Sequence, residues 1–297
     1  MKNSLLLIAV FMSCFVLSCN NRGKNKALKK EIEGVQLNPS LELVWETDSL
    51  LTTCESVLYD KSSQVIYVSN INNGPWEKDG NGFISTINTK GEITDLKWIE
   101  GVSAPKGLGI SNGKLFVNDI DDVVEIDIAS RKITNTYTVE NNPQLNDITV
   151  DTNGYVYASG SNSNTIYQIK DEVLTVFAAD SLKRLNGLLH TEEGIYYLDS
   201  GTQQFGIYNT TTNKFQKLTD GIGHGDGIVK LENGDFITSS WKGEIYYINS
   251  KDWTKTLLLD TKEQEINAAD IDFIHEKQML LVPTFFHNTV RAYKLNY

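Results

Sequence analysis

Cysteine is scarce in this chain of 297 residues, which contains three. Cys14 and Cys19 fall in an N-terminal leader, so Cys54 has no partner in the rest of the sequence. A disulfide framework is therefore excluded, and the sequence does not favour a zinc site with thiolate ligands. We interpret Cys54 as a small buried apolar side chain, because no pattern of histidine and acid accompanies it.

No apolar run is long enough to span a bilayer comfortably, which takes about 20 residues. Residues 5–17 form a shorter run that follows Lys2 and ends in Val-Leu-Ser-Cys. A basic start, a short apolar core and a small residue before the cleavage point predict a signal peptide over residues 1–18. The ending resembles a bacterial lipobox, which implies that Cys19 becomes the lipidated first residue of a periplasmic or cell-surface protein. An ordinary signal peptide is the alternative, and residues 19–40 are predicted to be a tether.

A net positive charge is found only at the N-terminal end of the chain. Residues 1–30 hold six basic residues and no acid, so the net charge of −11 leaves −17 for residues 31–297. An acidic domain argues against nucleic-acid binding, whose affinity rests on cationic contacts to phosphate. We expect a small-molecule substrate, membrane attachment through the N-terminal lipid only, and a monomer.

No convincing amphipathic helix follows residue 34, which argues against an α/β fold. Instead, glycines in predicted tight turns recur at Gly113, Gly154, Gly194 and Gly234, with spacings of 41, 40 and 40 residues. A repeat of about 40 residues with four β-strands predicts an all-β, six-bladed β-propeller. The units begin near the following residues: Glu55, Lys106, Asn146, Asn186, Asp226 and Ala269.

The sixth unit ends after its third predicted strand, at residues 289–295. Residues 41–46 read as a free strand at the other end of the domain and can supply the missing fourth strand. Because such closure removes open sheet edges, we predict one propeller domain over residues 41–297. The predicted fourth strands of the other blades are 93–98, 133–139, 174–178, 215–218 and 254–259.

The first strand of each propeller blade lines the central channel, so the residues that open the six units should form a ring. Glu55, Asn146, Asn186 and Asp226 would contribute two carboxylates and two amides to it, a set of oxygen ligands that suits calcium. Asparagine and aspartate before a strand can also bond the preceding turn for structural reasons. Ala269 shows that the fold does not require a polar residue at this register.

A second ring lies two residues earlier in each unit. It contributes Gln144, Arg184 and His224, which we predict to bind substrate together with Lys106. The ammonium of Lys106 has two possible roles: it tilts away to bind a substrate carboxylate or phosphate, or it replaces the metal's charge in a salt bridge to Glu55 or Asp226.

The segments 55–60, 145–148, 185–188 and 225–228 resemble the SMP-30/gluconolactonase family of six-bladed propellers, which is related to paraoxonase-like lactonases and phosphotriesterases. The resemblance implies a divalent metal, calcium before others, held by Glu55, Asn186 and Asp226. Asn146 would be a fourth ligand or a substrate contact. It also implies hydrolysis of a sugar lactone or similar small ester, with Asp226 as the general base. A lipid-anchored propeller that binds a ligand or protein partner without chemistry is the alternative.

Overall fold

The computed structural model describes residues 38–180 and 182–297. The predicted signal peptide, the lipidated Cys19 and the tether up to residue 37 lie outside the described residues. Among those that are described, no helix is both long and apolar enough to cross a membrane.

Four-stranded antiparallel sheets follow one another along the chain as blades of a propeller. Blade 1 contains β2 Cys54–Asp60, β3 Val65–Asn70, β4 Gly82–Asn88 and β5 Ile93–Val102. Blade 2 contains β6 Pro105–Ser111, β7 Lys114–Asp119, β8 Asp122–Asp127 and β9 Lys132–Thr138. Blade 3 contains β10 Leu145–Val150, β11 Val156–Gly160, β12 Thr165–Lys170 and β13 Val173–Ala179.

The second half of the chain continues the same arrangement. Blade 4 contains β14 Leu185–Thr191, β15 Gly194–Asp199, β16 Gln204–Asn209 and β17 Lys214–Asp220. Blade 5 contains β18 Gly225–Lys230, β19 Phe236–Ser240, β20 Glu244–Ile248 and β21 Lys255–Asp260. Blade 6 contains β22 Asp272–Ile274, β23 Met279–Pro283 and β24 Val290–Asn296, and β1 Ser40–Glu46 completes it. Short 3₁₀ turns occupy Lys262–Gln264 and His275–Lys277.

The ring closes between the two ends of the described chain. Strand β1 pairs antiparallel with β24, from Ser40 opposite Asn296 to Glu46 opposite Arg291. This confirms the predicted all-β propeller of six blades and its closure by the N-terminal strand. Blade 6 differs from the prediction at its start, because β22 begins at Asp272 and not near Ala269. The backbone N–H of Asp270 donates to the carbonyl of Glu55 in blade 1 instead.

Apolar packing joins each blade to its neighbours. Six clusters of buried side chains each combine residues from two adjacent blades, for example Ile84 of blade 1 with Val117 of blade 2. Cys54 lies in the cluster between blades 6 and 1, where burial raises the pKa of its thiol to about 12. That environment agrees with Cys54 as an apolar core residue, since a reactive cysteine needs its thiolate.

Candidate metal centre and active site

A β-bulge begins the first strand of five blades. In β10, Leu145 pairs with Gly160 and Ile148 with Ala158, so the two residues between them face one residue of β11. The same register shift occurs in β2, β6, β14 and β18. A bulge redirects side chains and often borders a functional site. Its first residue in each blade is a member of the predicted ring, namely Glu55, Lys106, Asn146, Asn186 or Asp226.

Serine hydroxyls satisfy the backbone donors that the bulges free. Ser69 Oγ accepts from the N–H of Ser56, and Ser159 Oγ accepts from the N–H of Asp147, each at 2.9 Å. Ser239 repeats the arrangement in blade 5 at 2.8 Å. An unpaired buried N–H is costly, so these serines stabilise the bulged backbone. The recurring serine in the second strands of blades 1, 3 and 5 is a sequence signal for the bulge that the repeat pattern alone did not reveal.

The bulge residues of neighbouring blades pack closely around the channel. A Cβ on Gly187 would overlap the carbonyl oxygen of Asp226, and one on Gly227 would overlap the backbone of Ile271. The glycine after Asn186 and after Asp226 is therefore required by the approach of the next blade.

A cavity of about 290 Å³ opens over this ring. It brings together seven predicted site residues: Glu55, Lys106, Asn146, Asn186, Asp226, Arg184 and His224. The loop residues Trp76, Trp241 and Phe285 also line it. Gln144 does not line the cavity, and its substrate contact stays a prediction. The second ring thus contributes Arg184 and His224, both of which are exposed.

Hydrogen bonds orient the amide of Asn186. Its Nδ2 donates to Oδ1 of Asp226 at 2.9 Å and to the carbonyl of Gly225 at 3.3 Å. Because the carbonyl can only accept, the amide nitrogen must face this side. The Oδ1 atom is consequently left buried without a hydrogen-bond partner among the described residues.

A similar constraint orients Asn146. Its Nδ2 donates to Ser161 Oγ at 3.2 Å, while the Ser161 hydroxyl proton goes to the carbonyl of Leu185 at 2.7 Å. Since the Ser161 oxygen is left only to accept, the Asn146 nitrogen is committed to it. The two asparagines of the ring therefore both have their amide nitrogen engaged, which leaves the amide oxygen as the available group.

The two carboxylates of the ring are buried, with exposed fractions of 5% for Glu55 and 3% for Asp226. Burial raises the pKa of Glu55 well above its usual value, and the nearby Asp226 charge adds to this. Burial also raises the pKa of Asp226 to about 7, although the hydrogen bond from Asn186 and the charge of Lys106 oppose it. Glu55 Oε2 has no hydrogen-bond partner in the described chain. A bound cation would stabilise the ionised form of both buried carboxyl groups.

Lys106 tilts away from the carboxylates. Its ammonium donates to the carbonyl of Pro75 at 2.8 Å and lies 4.3 Å from the ring centroid of Trp76, a cation–π contact. No ion pair joins Lys106 to a carboxylate of residues 38–180 or 182–297. Desolvation lowers the pKa of Lys106 to about 8, while Glu55 and Asp119 oppose that shift. Of the two roles considered for Lys106, the geometry agrees with the one that leaves the carboxylates free.

The available oxygens fit a hard cation. Glu55, Asn146, Asn186 and Asp226 present two carboxylates and two oriented amides to one cavity, and Glu55 Oε2 and Asn186 Oδ1 lack other partners there. In the described residues, no three histidine, cysteine, aspartate or glutamate side chains group to hold a metal. A cation here would thus depend on amide oxygens, which suit calcium or magnesium better than zinc.

A second layer of acids below the ring was missed from the sequence. Asp147 and Asp270 follow Asn146 and Ala269 directly, and both are buried. Asp270 accepts from Ser56 Oγ at 2.6 Å, and burial raises its pKa to about 8. These acids line a separate cavity of about 300 Å³ around the far ends of the first strands. The signal for them is the second residue of the third and sixth units, where the other units have serine or glycine.

No protein-family model and no curated protein matches the sequence. Solved structures do match at the level of the fold. A gluconolactonase from Xanthomonas campestris has a TM-score of 0.65 at 13% identity, over 82% of this chain and 86% of that one. A catalytically inactive virginiamycin B lyase from Staphylococcus aureus, solved with quinupristin, has a TM-score of 0.62 at 13% identity, over 87% and 100%.

A luciferin-regenerating enzyme matches with a TM-score of 0.60 at 17% identity, over 88% of this chain and 96% of that one. Identities this low establish a common architecture and leave the chemistry to the site itself. The structural neighbours include gluconolactonases, which confirms the predicted resemblance at the level of the six-bladed propeller fold.

Proposed function

We propose that this protein is a metal-dependent hydrolase of a lactone or similar small ester, with calcium as the metal. One observation carries the proposal: Glu55 Oε2 and Asn186 Oδ1 are buried acceptors without partners, at one cavity with Asp226 and Asn146. Unsatisfied buried acceptors are costly, and a divalent cation is the group that this oxygen set would satisfy.

Glu55, Asn146, Asn186 and Asp226 would hold the cation. When bound, it would polarise the substrate carbonyl and favour the ionised carboxylates. Asp226 is proposed as the general base, because its carboxyl group lines the cavity and the bound cation would keep it ionised and able to accept a proton. Water oxygen bonds to the acyl carbon, the acyl C–O bond breaks, and the proton taken by Asp226 passes to the leaving alkoxide.

The structural neighbours support this class of reaction without fixing it. The one from Xanthomonas campestris is described as a gluconolactonase. The one from Staphylococcus aureus is described as a lyase. We favour hydrolysis because a carboxyl group that can take a proton from water, that of Asp226, lines the cavity where water and substrate would meet.

The test is turnover of aldonolactones and aryl esters by the purified protein with calcium or with EDTA. We expect calcium-dependent turnover that Asp226→Asn reduces by at least about a hundredfold, as removal of a general base typically does. Hydrolysis in ¹⁸O-labelled water should place one labelled oxygen in the acid product, whereas elimination would place none. Absence of turnover on all of these substrates, with calcium still bound, would favour the propeller that binds a ligand without chemistry.

We also propose that the protein is exported and anchored through lipid on Cys19, as a monomer acting on a small molecule. Labelled palmitate should be incorporated by the wild type and not by Cys19→Ser. Equal labelling of both would contradict the anchor.

A further inference from the structure

Aromatic side chains form the wall of the active-site cavity above the metal-binding ring. Trp241 meets Phe285 edge to face with centroids 5.3 Å apart, and meets Phe286 in the same way at 5.9 Å. Trp76 also lines the cavity, and its ring contacts the ammonium of Lys106. Phe286 is 59% exposed although it belongs to this cluster. Flat apolar surfaces of this kind bind a flat apolar ligand.

Two cations face the same cavity. Lys106 is buried, with an exposed fraction of 2%, and Arg184 is exposed at the mouth. Their charges are close enough that Arg184 helps to lower the pKa of Lys106. Within residues 38–180 and 182–297, the Arg184 guanidinium has neither an ion pair nor a side-chain hydrogen bond.

The charge balance changes once a divalent cation is bound. Glu55 and Asp226 then neutralise the cation, so Lys106 and Arg184 are left without compensation inside the cavity. Asp119 lies near Lys106, but its two oxygens already accept from the backbone N–H groups of Ser103 and Ala104. The buried charge of Lys106 needs a partner, and a ligand anion in the cavity would face both Lys106 and Arg184.

A neutral polyhydroxylated ligand would find few partners on this wall. Ser200 Oγ already donates to the carbonyl of Gly225 at 2.7 Å, and the other lining residues outside the ring are aromatic or cationic, apart from Pro75 and His224. The cavity volume of about 290 Å³ corresponds to a small ligand. Size, aromatic surface and positive charge together describe a molecule with one ring and one carboxylate.

We propose that the substrate is an ester or lactone that carries a carboxylate on a flat apolar body, with Arg184 and Lys106 binding the carboxylate. The part that concerns ester chemistry rests on the proposed function, whereas recognition of the carboxylate does not. Arg184 suits this role because its guanidinium binds a carboxylate through two parallel N–H groups.

Turnover is tested with a matched pair of substrates in calcium: 3-carboxyphenyl acetate and its neutral isostere 3-carbamoylphenyl acetate. We expect wild type to prefer the carboxylate ester in kcat/KM by at least about tenfold, equivalent to ~1.4 kcal/mol. In Arg184→Gln the ratio of the two kcat/KM values should fall towards one. The control Lys183→Gln removes a positive charge one residue away and outside the cavity lining, and it should keep the preference.

Binding is measured separately with the products, 3-hydroxybenzoate and 3-hydroxybenzamide, by calorimetry and tryptophan fluorescence. Dependence on Arg184 separates recognition by the guanidinium from direct binding of the carboxylate to calcium. If benzoate binds in an Arg184-dependent manner but neither ester is turned over, the hydrolase fails and the carboxylate inference stands.

If both esters are turned over equally and Arg184→Gln changes neither the ratio nor benzoate binding, the inference is overturned while the hydrolase stands. The inference is also overturned if the preference for 3-hydroxybenzoate over 3-hydroxybenzamide does not depend on Arg184. A second pair, the 1,4-lactones of D-glucarate and D-gluconate, tells whether the carboxylate comes from a sugar acid. If the glucarate lactone is preferred over both aryl esters, the claim that the substrate has a flat apolar body is overturned, and the claim that it carries a carboxylate stands.

Discussion

The amide nitrogen of Asn186 donates a 2.9 Å hydrogen bond to Oδ1 of Asp226 across the boundary between blades 4 and 5. This contact makes Asn186 both an orienting group for the carboxylate and a source of a free amide oxygen. The contact thereby joins two neighbouring blades at the proposed metal site. Calcium binding and the packing of these two blades are therefore linked.

Replacing Asn186 with alanine removes the free Oδ1 and the donor to Asp226 at once. We expect calcium affinity to fall about 10–100-fold, the usual loss when a group that orients a metal ligand is removed. Calorimetric titration with calcium measures this directly. Asn209→Ala, at the last residue of β16, is the control. An equal loss there, or none in Asn186→Ala, would contradict the assignment.

Replacing Lys106 with methionine removes the one buried cation that shares the cavity with Glu55 and Asp226 among the described residues. We expect calcium to bind about tenfold more tightly, a gain of ~1.4 kcal/mol, because repulsion between the ammonium and the metal is lost. The control is Lys170→Met, which removes a cation–π contact to Tyr155 far from the channel. Weaker calcium binding in Lys106→Met would mean that the ammonium helps to build the site.

The carboxyl of Asp226 predicts how stability depends on pH when metal is removed. Its folded pKa of about 7 lies above the unfolded value of 3.8, so the folded protein binds the extra proton between these limits. Stability from this group is therefore lost as pH rises from about 4 to 7. In EDTA, thermal unfolding between pH 5 and 8 should show a larger fall for wild type than for Asp226→Asn.

Calcium should reverse that trend, since the ionised carboxylate binds the metal and the protonated one does not. The rise in Tm on adding calcium should consequently grow from pH 5 to pH 8. A calcium effect that shrinks over this range would contradict the involvement of Asp226.

Gly187 tests the close approach of blades 4 and 5. Alanine at this position would collide with the carbonyl of Asp226, so we expect a loss of about 1–3 kcal/mol in the free energy of unfolding, as for other overpacked sites. Urea unfolding of Gly223→Ala is the control, because its nearest neighbour atom is 3.9 Å from the added Cβ. Equal stability of the two variants would show that the blades can separate.

Most of the fold was readable because its repeat is carried by local signals. The turn glycines Gly113, Gly154, Gly194 and Gly234 all have positive φ, as tight turns require. The predicted fourth strands of blades 3 and 5 lie within one residue of β13 and β21. Blade 6 was harder, because the chain before β22 bonds to blade 1 through Asp270 and Glu55, a contact between distant parts of the sequence.

The ring itself was also predictable, since one register of the repeat places five side chains at the same cavity. The direction in which Lys106 points could not be predicted. It depends on the Pro75 carbonyl and the Trp76 ring, which belong to a loop outside the repeat. The aspartates Asp147 and Asp270 were missed because the other blades have serine or glycine at that position, which hides the register.

The most direct test of the metal site is thermal unfolding of the purified protein at pH 8 with calcium or with EDTA, for wild type and Asp226→Ala. Calcium at a concentration 100 times its dissociation constant stabilises the folded state by about 2.7 kcal/mol. We predict a saturable rise in Tm for wild type, reversed by EDTA and absent from Asp226→Ala. An identical wild-type Tm in calcium and in EDTA would contradict a calcium site in the channel.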